Sequence, residues 1–559
     1  MNPAQLATAT PIDAANTVPR ALVLQAERHG AKPLITFPRD GEVLTYEGLT
    51  RLAQNGSRRL RHAHGLLRGE SAAIYLGNCA AGVKAWFAFL FAGLVDVPIN
   101  HEFKKAMLLF GLDKVQARAL VTNQEGLVHL LDPEVAHYLP KLKLLLLTGE
   151  VDDALRARLL AVAGCPTVLA LDELLADEAA GGALGDSVWE AIDAASAAVI
   201  RFTSGTTGPA KGVVQSHLHV LAKSMVHNRI LDYSDQDTFY SPFPLHHNLA
   251  SINGLIGTLQ VGGTLVSVPR FSASRYWTDA AECGATLAHL LQSVAPLLMA
   301  QPESEADTRH RVRMLWTGGP DPDFEARFRT QWVQVYALGE VGAISWRRGS
   351  VKGDTNTGPP LPEMEVRIVD ALDRPLPANT TGEIVIRPHH QHRVMLAYHD
   401  DLPATTRAFR NLWFHTGDAG MLSDAGELHF QGRIGDTIRR RGVNMSSEQI
   451  EDELRRHAEV LDCGVIAVPA DGDQEVHACI LWRTPPADAV AAYRELAAFA
   501  SARLAREYLP RFFESVDDLP RTGTGKVQKA VLRTRARFGP TWDRALDTWH
   551  SMDRPRRER

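Results

Sequence analysis

The sequence is poor in the features of secreted, zinc-binding or nucleic-acid-binding proteins. Its 559 residues include only five cysteines, and no two of them form a Cys-x-x-Cys pair. Neither a disulfide framework nor a zinc site is therefore predicted, and we expect a reducing, cytoplasmic compartment. The formal net charge is only −5, which argues against a surface built to bind nucleic acid or membrane lipid. The composition favours a small-molecule partner.

Long apolar runs are also absent. The most apolar window, residues 80–98, contains Lys84 and Asp96 and falls short of the roughly 20 uninterrupted apolar residues that a membrane span needs. The amino terminus lacks a basic stretch followed by an apolar one, so no secretory signal is predicted. A chain of this length exceeds one ordinary core, and we expect roughly two to four folding units.

What the sequence does contain is a regular alternation of strand-like and helix-like segments. Short apolar runs predict buried strands at residues 71–76, 95–100, 119–122, 143–148 and 197–202, and a helix is predicted over residues 79–94. This alternation is typical of βαβ units in an α/β fold. The Ala/Leu/Asp-rich stretch at 150–187 predicts a helical insert and an exposed linker.

The most informative stretch is Thr-Ser-Gly-Thr-Thr-Gly-Pro-Ala-Lys at residues 203–211, directly after a predicted strand. Its glycines permit close backbone approach, and its lysine adds a positive charge beside several hydroxyl donors. The pattern indicates a cradle for a polyphosphate. A Walker loop has glycine directly before its lysine and serine or threonine directly after it. Lys211 is preceded by Ala210 and followed by Gly212, so the stretch is not a Walker loop. The alternative is a Gly/Thr-rich surface turn.

Other candidate residues carry little information by themselves. His247 belongs to a histidine pair in a chain with 22 histidines, and a capping or packed histidine is an equal alternative. Glu340 is a carboxylate suited to Mg²⁺, but a lone glutamate is more often a solvated charge. Asp418 suits an ordinary turn. Lys526, which follows Gly523 and Gly525, would ordinarily be solvated, and so would the basic run at 439–441.

The loop at 203–211 resembles the phosphate loop of the adenylate-forming enzymes, which include acyl-CoA synthetases, peptide-synthetase adenylation domains and beetle luciferases. The resemblance runs from about residue 45 to residue 533. Further strings that resemble the motifs of this superfamily follow in the expected order at residues 313–320, 333–342, 413–420, 431–451 and 519–533.

The resemblance implies an ATP site in which residues 318–320 form the adenine turn and Tyr336 offers a flat face to adenine. It implies that Asp418 accepts hydrogen bonds from the ribose hydroxyls and that Arg433 also contacts the ribose. The implied ATP-binding residues are Thr203, Ser204, Gly205, Thr206, Thr207, Gly208, Gly318, Gly319, Pro320, Tyr336, Asp418 and Arg433.

The resemblance also assigns roles to the remaining candidates. Lys526, Lys211 and Glu340 are the implied catalytic residues: Lys526 bridges the acid and the α-phosphate, and Glu340 is the Mg²⁺ ligand. Asp436 is the implied hinge of a rotating C-terminal domain. The other implied roles are the acyl pocket for His247 and CoA binding for Arg441 and Gly442.

The sequence departs from the superfamily pattern at three positions. Ala337 and Gly339 stand where glycine and threonine are usual, so a hydroxyl that contacts the α-phosphate is missing. Gly435 replaces a lysine often found before the hinge. We expect Gly339 to be required by a positive φ or by a bulky acyl group, so that Gly339→Thr would lower activity. The alternative is a weakened site that the added hydroxyl would improve.

The expected fold class is α/β: a large N-terminal α/β unit with a β subdomain, plus a small mobile C-terminal α+β domain. The N-terminal adenylation domain is expected over residues 1–435, with the phosphate loop at 203–212 and the β subdomain at about 353–430. The C-terminal mobile domain, with the catalytic lysine loop, is expected over residues 436–559. Residues after 533 are expected to form a solvated basic tail.

The implied activity is that of an ATP-dependent carboxylic acid:CoA ligase that uses ATP, Mg²⁺ and CoA and releases AMP and pyrophosphate. Residues 97–100 and the segment around Asn444 resemble ligases of short or polar acids, including the carnitine and crotonobetaine group. Two alternatives stay open. One is an enzyme that loads an acyl carrier protein, and the other is a non-catalytic adenylate-fold binding protein.

Overall fold

The computed structural model describes most of the chain. The described residues are 16–177, 188–202, 211–291, 294–317, 321–349, 354–434, 437–440, 443–470, 473–504, 508–521, 526–534 and 540–550.

The helices vary in length from single turns to four turns. The α-helices are Val18–His29, Tyr46–Arg58, Ala80–Phe91, Lys105–Val115, Gln124–Leu130, Pro133–Ala136, Asp153–Leu160, Leu171–Leu175, His217–Ile230, Gly257–Val261, Tyr276–Glu282, Ala295–Met299, Ala306–Arg309, Pro322–Phe328, Leu402–Ala408, Ser447–Leu454, Ala489–Ser501 and Lys529–Thr534. Arg59–Ala63 and Leu249–Ile256 are π-helical, and Leu139–Lys141 and Arg410–Leu412 are 3₁₀ turns. No helix among the described residues is both long and apolar enough to cross a membrane.

Two large sheets form the N-terminal part of the described chain. The first has eight strands in the spatial order Gly342–Arg348, Gln331–Leu338, Met314–Thr317, Leu287–His289, Thr238–Ser241, Thr264–Ser267, Pro33–Phe37 and Glu42–Thr45. Its inner strands are parallel, and each edge strand is antiparallel to its neighbour. Parallel strands joined by helices are the expected product of the βαβ alternation in the sequence.

The second large sheet also has eight strands within the described residues. Their order is Ala397–Tyr398, Gly212–Ser216, Ala197–Phe202, Val95–Pro98, Ser71–Tyr75, Ala119–Thr122, Leu144–Leu147 and Thr167–Ala170. The helix Ala80–Phe91 is apolar on nearly all sides, which is typical of a helix buried on every face. Its Phe87 belongs to the same apolar cluster as Ile35 of the first sheet and Ala198 of the second, so the core lies between the two sheets.

Smaller sheets follow toward the carboxyl terminus. An antiparallel sheet is formed by Met364–Val369, Gly382–Pro388, Phe414–Leu422 and Leu428–Arg433, in that order. Thr437–Arg440 pairs with Val443–Ser446. A five-stranded sheet follows in the order Val460–Ala470, Asp473–Trp482, Phe512–Ser515, Thr541–Asp543 and Thr548–His550. The predicted α/β class, with a large N-terminal and a small C-terminal part, is confirmed.

The structure corrects two expectations. Within the stretch predicted as helical, Thr167–Ala170 is a strand, because it extends the second sheet by pairing in parallel with Leu144–Leu147. The predicted solvated tail instead supplies the last two strands of the C-terminal sheet. Trp542 anchors them: it is 2% exposed, and its ring lies 5.9 Å from that of Tyr493, so aromatic burial outweighs the polar composition of the segment.

Candidate active site

The strands on either side of the predicted phosphate loop are held together at their ends. Ala197–Phe202 runs antiparallel to Gly212–Ser216, and Phe202 is the pairing partner of Gly212. The loop between them, with Thr203, Ser204, Gly205, Thr206, Thr207 and Gly208, lies outside the described residues. Lys211, which immediately precedes the second strand, is described and half-buried.

Lys211 and Glu340 are brought together by a tyrosine that the sequence analysis did not identify. The Lys211 Nζ atom lies 4.8 Å from the centroid of the Tyr398 ring, and the Tyr398 hydroxyl donates a 2.9 Å hydrogen bond to Glu340 Oε1. Tyr398 pairs with Val213 at the edge of the second sheet. Burial and the adjacent carboxylate of Glu340 raise the pKa of Tyr398, so the phenol stays protonated and acts as a donor.

Glu340 occupies the turn between Gln331–Leu338 and Gly342–Arg348. The amide of Met395 donates a 2.7 Å hydrogen bond to the Glu340 backbone oxygen. The residue of this turn that needs a left-handed backbone is Gly342, with φ of 92°. Gly339 is not among the residues with positive φ, and a Cβ built on it would meet only Asn248 Nδ2, at 3.7 Å. The expectation of a positive φ at Gly339 is therefore wrong.

The predicted adenine and ribose residues contact one another. Tyr336 donates a 2.6 Å hydrogen bond to Asp418 Oδ2, and the Arg433 Nε atom lies 2.9 Å from Asp418 Oδ1. The Tyr336 ring packs against Phe430, with their centroids 5.2 Å apart. Arg433 also donates to the Thr416 backbone oxygen at 2.8 Å.

Asp418 is held in this contact by the strand pairing around it. It pairs with Arg433 across the antiparallel sheet, follows Gly417 with its φ of 70°, and is 1% exposed. Burial raises the pKa of Asp418 to about 6, while Arg433, the Tyr336 hydroxyl and Lys526 oppose that rise. A carboxylate with this degree of burial needs polar partners to stay ionised.

The C-terminal lysine is part of the same cluster of charges. Lys526 is exposed, yet its charge acts on Asp418 and also on His247 of the N-terminal part. Its loop is fixed at the base by a bridge between Arg521 and Val527. The neighbouring Lys529 lies 2.8 Å from the buried Glu451 Oε1.

His247 lies close to a buried ion pair that the sequence analysis also did not identify. Burial, together with the charges of Arg201 and Lys526, lowers the pKa of His247 to about 4, so its ring is neutral near pH 7. Arg201 donates to the His246 backbone oxygen at 3.3 Å. Its Nη2 atom lies 3.5 Å from Asp96 Oδ2, and the side chains of the pair are 5% and 1% exposed.

The remaining predicted site residues lie outside the described part of the chain. These residues are Gly318, Gly319, Pro320, Asp436, Arg441 and Gly442. Their flanking segments are described: Met314–Thr317 is an inner strand of the first sheet, and Thr437–Arg440 pairs with Val443–Ser446.

The chain matches known proteins over nearly all of its length. A family model described as AMP-binding enzyme matches residues 22–399, and one described as AMP-binding enzyme C-terminal domain matches residues 449–526. A crotonobetaine/carnitine–CoA ligase from Salmonella paratyphi A is 27% identical over 497 residues, which cover 86% of this chain and 91% of the relative. A protein of the same name from Escherichia coli O1:K1 is 25% identical over 521 residues, covering 91% and 97%.

Solved structures share the fold. An anthranilate CoA ligase in complex with anthranoyl-AMP superposes with a TM-score of 0.80 at 20% identity, covering 96% of this chain and 98% of the other. A benzoate CoA ligase from Burkholderia xenovorans LB400 superposes with a TM-score of 0.76 at 22% identity, covering 93% and 100%. Since the first family model alone spans more than half of the sequence, this chain belongs to the family of AMP-binding enzymes.

Proposed function

We propose that this AMP-binding enzyme is an ATP-dependent carboxylic acid:CoA ligase, which forms an acyl-adenylate and then an acyl-CoA thioester. The observation that carries the proposal is the contact among Tyr336, Asp418 and Arg433, in which Asp418 Oδ2 accepts a 2.6 Å hydrogen bond from Tyr336 and Asp418 Oδ1 lies 2.9 Å from Arg433 Nε. The names of the relatives, which are CoA ligases, support it. Few cysteines favour a cytoplasmic location.

In the first half-reaction a carboxylate oxygen attacks the α-phosphorus of ATP. A new P–O bond forms while the bond to the bridging oxygen breaks, and pyrophosphate leaves with the electron pair. Both reactants are anionic, so the proposed roles of Lys211 and Lys526 are to offset the charge that develops between them. Residues 203–208 hold the phosphates in this proposal.

The nucleoside is held by the polar contacts around Asp418. We assign ribose binding to Asp418 and Arg433, and adenine binding to Tyr336 with residues 318–320. The hydrogen bond from Tyr336 to Asp418 links the two sites, because it fixes the ring and the carboxylate relative to each other. Asp418 thereby keeps a defined orientation for accepting hydrogen bonds from the ribose hydroxyls.

The residues around Glu340 fit a Mg²⁺ ion. Tyr398 donates to Oε1 of Glu340, and no hydrogen bond to Oε2 is found among the described residues, so Oε2 would supply a hard carboxylate oxygen to the ion. Bound Mg²⁺ would neutralise phosphate oxygens and stabilise the leaving pyrophosphate. The contribution of the chain is to orient Glu340 through Tyr398 and the Met395 amide.

In the second half-reaction the CoA sulfur attacks the acyl carbonyl carbon. The C–S bond forms, the bond from that carbon to the phosphate oxygen breaks, AMP leaves, and the thiol proton is lost. No nucleophilic side chain is needed. We propose a domain boundary at 435/436, Asp436 as the hinge between the two half-reactions, and Arg441 and Gly442 as part of the CoA path.

The proposed substrate is a short, polar carboxylic acid. With His247 in the acyl pocket, Arg201 and Asp96 lie beside the pocket, and the His101 and His246 rings are 6.3 Å apart. Both Asp96 oxygens and Arg201 Nε are buried without a hydrogen bond among the described residues. A polar acyl group is compatible with a buried charged pair beside its pocket, whereas a long alkyl chain would pack against the pair without compensating its charges.

The substrate class can be tested by replacing both members of the ion pair. A single substitution leaves an uncompensated buried charge, whereas two apolar replacements remove the charges together. Arg201→Leu/Asp96→Val should fold and should lower kcat/KM for short polar acids, relative to apolar acids of equal length, by roughly tenfold or more. An unchanged ratio would place the pair outside substrate selection.

The reaction is tested by measuring ATP-dependent pyrophosphate release across a panel of carboxylic acids, with and without CoA. Acid-dependent release followed by acyl-CoA formation supports the ligase. Release with transfer only to a phosphopantetheinylated carrier protein would favour carrier loading instead. Binding of ATP without release for any acid would favour a binding protein.

A further inference from the structure

Lys223 is a buried lysine in the middle of the helix His217–Ile230, and none of the roles assigned above uses it. It is 5% exposed. Its Nζ atom donates a 2.8 Å hydrogen bond to the backbone oxygen of Gly339 and a 3.0 Å hydrogen bond to Gln215 Oε1. A buried ammonium group is costly unless its donors are satisfied, so these two contacts are what hold the charge in the interior.

The contacts of Lys223 join three parts of the site. Gln215 lies on the strand that follows the phosphate loop and donates at 3.4 Å to Asn248 Oδ1. Asn248 directly follows His247 of the proposed acyl pocket. Gly339 directly precedes Glu340. One lysine therefore connects the strand leaving the phosphate loop, the acyl-pocket segment and the turn that carries the proposed Mg²⁺ ligand.

The backbone around Lys223 is shaped to admit its side chain. A Cβ atom at Gly342 would lie 2.8 Å from Lys223 Cγ, so a glycine at that point of the turn allows the lysine stem to pass. The Gly339 carbonyl is thereby within reach of the ammonium group.

We propose that Lys223 is a positioning residue for adenylation, which holds the Gly339 carbonyl and thereby fixes the orientation of Glu340. The inference rests on the proposed ligase function. The proposal also bears on Gly339, where the usual hydroxyl is missing. The backbone oxygen of Gly339 accepts a hydrogen bond from the ammonium group of Lys223, which lies on the helix His217–Ile230.

The charged groups around Lys223 predict a pH signature. Burial lowers the pKa of Lys223 to about 7; Glu340 opposes this shift, and Arg201 and Arg393 add to it. On its own helix, His219 faces the same charge. Lys223 is charged below this pKa and neutral above it, so the ammonium–carbonyl hydrogen bond weakens as the pH rises. The rate of adenylation by the wild-type chain should therefore fall as the pH rises above this pKa, which gives its pH profile an alkaline limb.

The test compares Lys223→Met and Lys223→Arg in each half-reaction. Lys223→Met removes the donor and should lower the rate of pyrophosphate release by roughly ten- to hundredfold, while thioester formation from supplied acyl-adenylate stays within about twofold. Lys223→Arg keeps a donor that is charged at all accessible pH values. It should restore part of the rate and remove the alkaline limb of the pH profile.

Lys32→Met is the matched control, because it removes a lysine that donates to the backbone oxygen of Asp235, away from the site. Its kinetics should match the wild type. Equal loss in both half-reactions of Lys223→Met, or an alkaline limb that persists in Lys223→Arg, would overturn the proposal. If Lys223→Met does not fold, the rates of both half-reactions in Lys223→Arg decide, and an equal loss in both overturns the proposal. A wild-type chain that releases no pyrophosphate with any acid would instead refute the ligase function.

Discussion

Tyr398 offers the sharpest test of how the chain orients Glu340. Tyr398→Phe removes one hydroxyl and keeps the ring that lies beside Lys211, so the change isolates the 2.9 Å hydrogen bond to Glu340 Oε1. A hydrogen bond to a charged group contributes about 1.5–3 kcal/mol. Because Glu340 is only half-buried and water can replace part of the contact, we take the lower end, which corresponds to about tenfold.

The expected result is a roughly tenfold lower kcat/KM for ATP in pyrophosphate release, with the KM for the acid and the thioester half-reaction unchanged. Tyr240→Phe is the matched control, since the hydroxyl of Tyr240, on an inner strand of the first sheet, also donates to a carboxylate, that of Asp279 on the helix Tyr276–Glu282, at 3.4 Å. Wild-type kinetics in Tyr398→Phe, or the same loss in Tyr240→Phe, would refute the assignment of Tyr398 to Glu340.

Four further predictions concern catalysis, the hinge, the turn and acid stability. Lys526→Ala should reduce pyrophosphate release by on the order of a hundredfold or more and largely spare thioester formation from supplied acyl-adenylate; equal loss in both would contradict its role. Asp436→Pro should impair one half-reaction far more than the other, as rapid-quench assays of each half can show. Gly339→Thr should fold and raise the rate of pyrophosphate release by a few-fold, about 1 kcal/mol, because the turn has room for a Cβ; a folded but slower variant would restore the original expectation. Burial lowers the pKa of His217 to about 4 in the folded chain, whereas the unfolded chain binds the proton near pH 6.5. As the pH falls from 6.5 to 4, the free energy of unfolding of the wild type should therefore decrease by about 1.4 kcal/mol per pH unit relative to that of His217→Asn. Parallel urea curves with no pH-dependent difference would disprove this last prediction.

Local patterns were sufficient to predict five of the eight strands of the second large sheet. Residues 119–122 and 197–202 were predicted with the observed bounds, since short β-branched runs between turns have few alternatives. The strand Thr167–Ala170 was missed because it is only four residues long and exposed at two of them. Its partner strand, Leu144–Leu147, lies more than twenty residues earlier in the sequence. The residue pattern of a short segment does not indicate that it pairs with so distant a strand.

Among the site residues, too, some were predicted from the sequence and others were not. Asp418 and Tyr336 each lie in a recognisable sequence motif. Neither motif indicates that the two side chains, 82 residues apart in sequence, form a hydrogen bond. Tyr398 lies outside all of the sequence motifs named above. Its role comes from the pairing of Ala397–Tyr398 with the strand after the phosphate loop, which places the ring between Lys211 and Glu340.

Gly339 illustrates why a missing group cannot be judged from its own position. From the sequence, the absent hydroxyl suggested either a weakened turn or a strained backbone. The structure excludes the strain, and the charge that supports the turn comes from Lys223, 116 residues away on a helix that reads as part of the core. Compensation of this kind depends on the direction of one buried side chain, and neither hydrophobic periodicity nor motif spacing carries that information. A departure from a family motif is therefore evidence about function only after the elements packed behind it are known.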